Sequence, residues 1–154
     1  MIKTESQFIK KGKKTMSEMN MTAEVPTSEI KLPENPTPRD VAEFAVKILD
    51  AKKAKDIKML YVEEKTILAD YFVIATGNSK TQVSSLSDEV EFRLGQNGVA
   101  NLHTEGKRGD TWILTDYGSV IVHVFSQDQR EFYNIEKLYD EGSAVDISDL
   151  ITKD

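Results

Sequence analysis

The sequence predicts a single α+β domain, a mixed five-stranded sheet with helices packed on it, and three observations carry that expectation. Stretches of helical apolar periodicity are interleaved with short β-branched and aromatic runs, in the order helix, two strands, helix, three strands, helix. At 154 residues the chain has room for one ordinary domain with some length left over. Hydrophobic content of 39% and charged content of 30% lie near globular averages, so a packed core is expected.

Residues 1–36 read as a disordered leader. Lys3, Lys10, Lys11, Lys13 and Lys14 make its start basic, Met16, Met19 and Met21 sit among polar residues, and Pro26, Pro33 and Pro36 discourage both helix and sheet. The domain is expected over residues 37–140. Thr37-Pro38-Arg39-Asp40 supplies a hydroxyl N-cap, a proline at the first helical position and a first-turn carboxylate. Val41, Phe44, Ala45, Ile48 and Leu49 follow as one buried stripe. Residues 57–63 (IKMLYVE) and 71–76 (YFVIAT) have strand composition. Gly77-Asn78-Ser79 breaks the chain, with Ser79 placed to cap a second helix whose stripe is Val83, Leu86, Val90 and Leu94 and whose end is Asn97-Gly98.

Residues 99–105 are a third strand candidate, followed by an exposed GKRGD loop at 106–110. Residues 111–115 and 119–125 form a hairpin about Asp116-Tyr117-Gly118. In its second arm Val120, Val122 and Val124 point to one face, and Ile121, His123 and Phe125 to the other. A last helix is expected from about 128 to 139, with Phe132, Ile135 and Leu138 or Tyr139 inward. Residues 141–154 read as a loose acidic tail. The strand–helix–strand unit over 71–105 predicts a right-handed parallel crossover, and the hairpin is antiparallel.

Charge and composition narrow the function. A net charge of −6 argues against generalised phosphate binding, although the basic leader leaves an RNA-binding arm as a reading. The absence of cysteine removes disulfides, thiolate zinc sites and thiol nucleophiles, and suits a cytoplasmic location. No apolar run approaches the roughly 20 residues that span a bilayer, so no membrane role is expected.

Three kinds of chemistry bear on these residues. Metal-dependent nucleotidyl transfer needs carboxylates held close together around divalent ions. Thr76-Gly77-Asn78-Ser79 offers a helix N-terminus able to take a phosphate, but Asp70 and Asp116 each stand alone at a strand end. Gly77 then reads more simply as the pivot of a tight strand-to-helix turn. Nucleophilic catalysis lacks its elbow motif, and His103 and His123 fall on separate strands, His123 as a half-buried sheet residue. GKRGD lacks the spacing of a phosphate-binding loop. No catalytic residues, metal or cofactor are expected.

A surface reading remains. Trp112, Tyr117, Phe125 and Tyr133 are concentrated in the hairpin and last helix among Asp116, Arg130, Glu136 and Lys137, the composition of a protein-docking patch. Core filling accounts for Phe132, Ile135 and Leu138. Tyr133 and Lys137 lie about 100° and 140° around the helix from Phe132 and Glu136 about 40°, so some of them face outward.

The stretch DTWILTDYGSVIVHVFSQDQREFYNIEKLY resembles the ribosomal silencing factor (Iojap) family. The resemblance rests on Trp112, Ile113, Leu114, Asp116, Gly118, the run 120–125, Arg130, Tyr133, Ile135, Glu136, Lys137 and Leu138. ADYFVIATGNSKTQV and HTEGKRGDTW extend it upstream, so it covers about residues 37–140. Ser119 and Tyr139 depart from the family's usual Asp and Trp. The resemblance implies a fold similar to nucleotidyltransferases without their catalytic carboxylates. It also implies binding to the large ribosomal subunit through ribosomal protein L-fourteen at the intersubunit face, which blocks subunit joining and represses translation, and a homodimer when free. The docking residues it implies are Trp112, Leu114, Asp116, Phe125, Arg130, Tyr133, Glu136 and Lys137. Residues 37–154 carry 14 basic and 21 acidic groups, which favours a basic protein partner over a specific nucleic acid. Metal-dependent nucleotidyl transfer is the alternative.

Overall fold

The computed structural model describes residues 26–106, 111–139 and 143–152. The lysine-rich start, most of the GKRGD loop and the first residues of the acidic tail lie outside them. α1 (Pro38–Ala51) begins with a capping box: Thr37 Oγ1 accepts from the Asp40 amide at 3.1 Å, and Asp40 Oδ2 accepts from the Thr37 amide at 3.0 Å. The expected stripe is buried, and so are Ala42 and Val46, because α1 packs against α2 (Lys80–Gln96) as well as against the sheet. In α2 the Ser79 hydroxyl accepts from the Gln82 amide at 3.0 Å, and Val83, Leu86, Val90 and Leu94 are buried as expected.

Among the described residues β1 (Lys55–Tyr61), β2 (Tyr71–Gly77), β3 (His103–Glu105), β4 (Trp112–Asp116) and β5 (Val120–Ser126) form one mixed sheet, in the order β1-β2-β5-β4-β3. β2 and β5 pair in parallel at its centre, and every other neighbouring pair is antiparallel. Two expectations are corrected here. The third strand is only three residues long, and β2 pairs with β5 rather than with the strand that directly follows α2. Strand composition explains both. β5 is apolar on both faces and takes the centre, whereas the polar, exposed His103-Thr104-Glu105 suits an edge.

The sheet separates two apolar layers. On the first face Met59, Val73, Ala75, Ile113, Val120, Val122 and Val124 meet α1 and α2. On the second, Leu60, Phe72, Ile74, Ile121 and Phe125 meet Ile135, with Trp112, Leu114 and Tyr139 packed at the margin. The alternation along β5 is the one its sequence predicts.

The single last helix is also corrected. Asn134 adopts the left-handed conformation (φ 45°, ψ 51°) and divides the run into α3 (Gln127–Tyr133) and α4 (Ile135–Tyr139). That break resets the helical phase. Ile135 is buried and Tyr139 half-buried, but Phe132 and Leu138 are each 75% exposed rather than inward.

Both terminal segments reach further into the fold than expected. Ile30 and Leu32 pack against the α-helical core, and Thr27 donates to Glu89 and accepts from Arg93 Nε at 3.1 Å. Burial alone would push the Glu89 carboxyl up, but Thr27 and Arg93 hold it below the usual range. The loose acidic tail is corrected in the same way. Val145 donates to the Met59 carbonyl, Ala144 bridges Leu60, Ile147 is buried, and Thr152 bonds Asp50. Residues 143–145 therefore line the outer edge of β1, and Thr152 fastens the segment to α1.

Candidate functional site: a docking surface

The alternation of β4 sends Ile113 and Thr115 into the first layer and leaves Trp112, Leu114 and Asp116 on the second face. The short helices α3 and α4 cover that face only partly. The Trp112 ring stacks on Phe125 of the neighbouring strand, with centroids 4.8 Å apart and planes at 26°, and meets Tyr133 at 4.6 Å. Phe132 stands edge-on to Tyr133 at 5.0 Å. The result is a continuous aromatic ridge running from the sheet onto α3, with exposed Leu138 on α4 nearby in sequence.

Arg130 fixes the helical side of this surface. Its buried guanidinium donates through Nη1 to Thr76 Oγ1 at 2.8 Å, and through Nε and Nη2 to the Glu136 carboxylate at 3.1 and 2.9 Å. The ion pair ties α4 to α3 across the Asn134 break and anchors both to the C-terminal end of β2. Burial would raise the Glu136 carboxyl, but the hydrogen bonds and charge of Arg130 outweigh it and hold the group below its ordinary range. Lys137 is exposed. Asp116 is half-buried, and its Oδ1 accepts from the Gly118 amide at 2.7 Å, which shapes the hairpin turn.

The eight residues assigned from sequence thus divide by position. Trp112, Leu114, Tyr133, Glu136 and Lys137 reach the surface around the ridge, and Asp116 lies at the far end of β4. Phe125 and Arg130 are corrected as direct contacts: Phe125 is wholly buried beneath Trp112, and Arg130 is enclosed by Thr76 and Glu136. Tyr117 is buried in the opposite layer, where burial pushes its hydroxyl above the usual range. Phe132 and Leu138 are surface residues that periodicity assigned to the core. Asn134 was the available signal, since asparagine tolerates the left-handed conformation that ends a helix.

The positions weighed for catalysis are far less organised. Gly77 is explained by packing, since a Cβ there would lie 3.0 Å from both Val83 Cγ2 and the Val83 amide nitrogen. Exposed His103 pairs with Glu105 at 2.9 Å. His123 is buried rather than half-buried, and burial lowers its pKa to about 4. Among the described residues no group of three His, Cys, Asp or Glu side chains could hold a metal ion, and no helix is long and apolar enough to cross a membrane.

The family model described as "Ribosomal silencing factor during starvation" matches residues 35–154, which includes the packed C-terminal segment. The ribosomal silencing factor RsfS of Bacillus subtilis is 37% identical over 109 residues, spanning 71% of this chain and 92% of its own. The mouse "Mitochondrial assembly of ribosomal large subunit protein 1" is 29% identical over 100 residues, 63% of this chain and 44% of that protein. A crystal structure from Chromobacterium violaceum superposes with a TM-score of 0.64 at 33% identity, covering 73% of this chain and 96% of the other. The chain belongs to the ribosomal silencing factor family.

Proposed function

We propose that this protein represses translation by steric obstruction. It docks on the large ribosomal subunit through ribosomal protein L-fourteen at the intersubunit face and prevents the small subunit from joining. The observation that carries this reading is the aromatic ridge formed by half-buried Trp112 with exposed Tyr133 and Phe132 on the thinly covered face of the sheet. Exposed aromatics on helices that also carry Glu136 and Lys137 make a docking surface, not a reaction centre. Family membership supports a ribosomal partner, and the name of the mouse relative points to the large subunit.

The mechanism requires no catalysis and no cofactor. A folded domain held at a subunit interface excludes the opposing subunit by volume alone. The acidic balance of residues 37–154 speeds encounter with a basic ribosomal protein. In the free cytoplasmic protein, a second copy covers the same apolar ridge as a homodimer. Co-sedimentation with purified large subunits tests the reading: the protein pellets with them and with no isolated small subunit. Equal recovery with both subunits, or with neither, would contradict it.

A further inference from the structure

We propose that His123 is a positioning residue for docking, holding the Trp112 indole from beneath in the orientation that the partner meets. The inference rests on the reading that Trp112 belongs to the docking face. In the β4–β5 ladder Trp112 lies opposite Phe125 and His123 opposite Leu114, so Trp112 and His123 are diagonal neighbours on the second face. Trp112 Nε1 donates to His123 Nδ1 at 3.3 Å.

The imidazole is itself held firmly. The Phe72 ring stands against it at 4.9 Å and 69°, and the Phe125 ring lies nearly parallel to it at 6.1 Å. The cost of placing an imidazole here is visible at the other ring nitrogen, Nε2, which is buried with no hydrogen-bond partner among the described residues. A leucine would fill the same space without that cost. What leucine lacks is an acceptor for the indole N–H. Stacking on Phe125 and contact with Tyr133 restrain the plane of the indole but not which edge carries Nε1, since a half-turn about Cβ–Cγ keeps the plane, and one hydrogen bond at the ring nitrogen selects between the two orientations. The neutral state imposed by burial keeps Nδ1 available as that acceptor. His123 therefore acts on the partner through Trp112, without touching it.

Trp112 is the only tryptophan in the chain, so its emission reports directly on the arrangement. His123→Leu removes the acceptor, and His123→Asn places an amide oxygen close to the position of Nδ1. Emission spectra and co-sedimentation with purified large ribosomal subunits are compared for both variants, with Trp112→Ala as the control. His123→Leu is expected to shift the emission and weaken binding about tenfold, the equivalent of one net hydrogen bond, and His123→Asn to restore both. Unchanged binding by folded His123→Leu, with Trp112→Ala weakened, overturns the positioning role and leaves the docking face intact. Unchanged binding by Trp112→Ala overturns both. If His123→Leu does not fold, hydrogen exchange of the Trp112 indole N–H in the unaltered protein decides: slow exchange supports the bond, and exchange as fast as that of a free indole overturns it.

Discussion

The two faces of the sheet are built from the same strands yet are covered to different extents. The first is sealed by two long capped helices, and its apolar side chains are nearly all withdrawn from water. The second is closed by two helices of seven and five residues joined through a left-handed asparagine, and it leaves Phe132, Tyr133 and Leu138 exposed. Complete cover yields stability, whereas incomplete cover leaves apolar area for a partner to bury. Polar contacts add to the apolar layer of the second face: the Arg130–Glu136–Thr76 cluster ties α3 and α4 to β2, and the Trp112–His123 bond joins β4 to β5.

Perturbations of the two faces should separate cleanly. The largest effect falls on the sealed face: Leu49→Ala leaves a cavity under α1 and lowers stability by roughly 2–5 kcal/mol in chemical denaturation, while binding per folded molecule stays unchanged. On the open face the order reverses. Tyr133→Ala should weaken large-subunit binding by about 2 kcal/mol, near thirtyfold, with a stability change below about 1 kcal/mol. A stability loss larger than the binding loss would show that Tyr133 belongs to the core.

Acid gives a smaller, graded test of the same face. Unfolded histidine takes up a proton below about pH 6.5, but buried His123 resists until about pH 4, so stability falls as pH drops across that window. Glu136, held below its ordinary range by Arg130, contributes stability that is present above the unfolded carboxylate range and is lost as pH falls through its folded value. Thermal midpoints measured from pH 7 to pH 4 should therefore decline, and His123→Asn should flatten the part above pH 4. An unaltered slope in that variant would mean that other groups govern the acid response.

What the sequence made legible follows the same division. α1 and α2 are local objects, since caps at Thr37 and Ser79 and apolar spacing within each helix define them, and both are legible in the sequence. The alternation of β5 was equally plain. Strand order was not, because pairing β2 with β5 joins residues some 50 positions apart, and nothing local encodes it. The packed ends were missed because one or two apolar residues, such as Ile30 or Ile147, gain their meaning only from the surface that receives them. At the candidate site, Trp112 and Tyr133 could be named from composition. The burial of Phe125 beneath Trp112 and of Arg130 against Thr76 and Glu136 depends on neighbours from other elements, the outward turn of Leu138 follows the break at Asn134, and the Trp112–His123 bond depends on one cross-strand diagonal.

The central claim, obstruction by a docked domain, is tested most directly by mixing purified large and small subunits on a sucrose gradient with and without the protein. Excess protein should hold the subunits in separate peaks, with the protein travelling in the large-subunit peak, and Tyr133→Ala should restore joining. Full joining at saturating protein, with the protein nonetheless bound to the large subunit, would contradict obstruction as its mode of action.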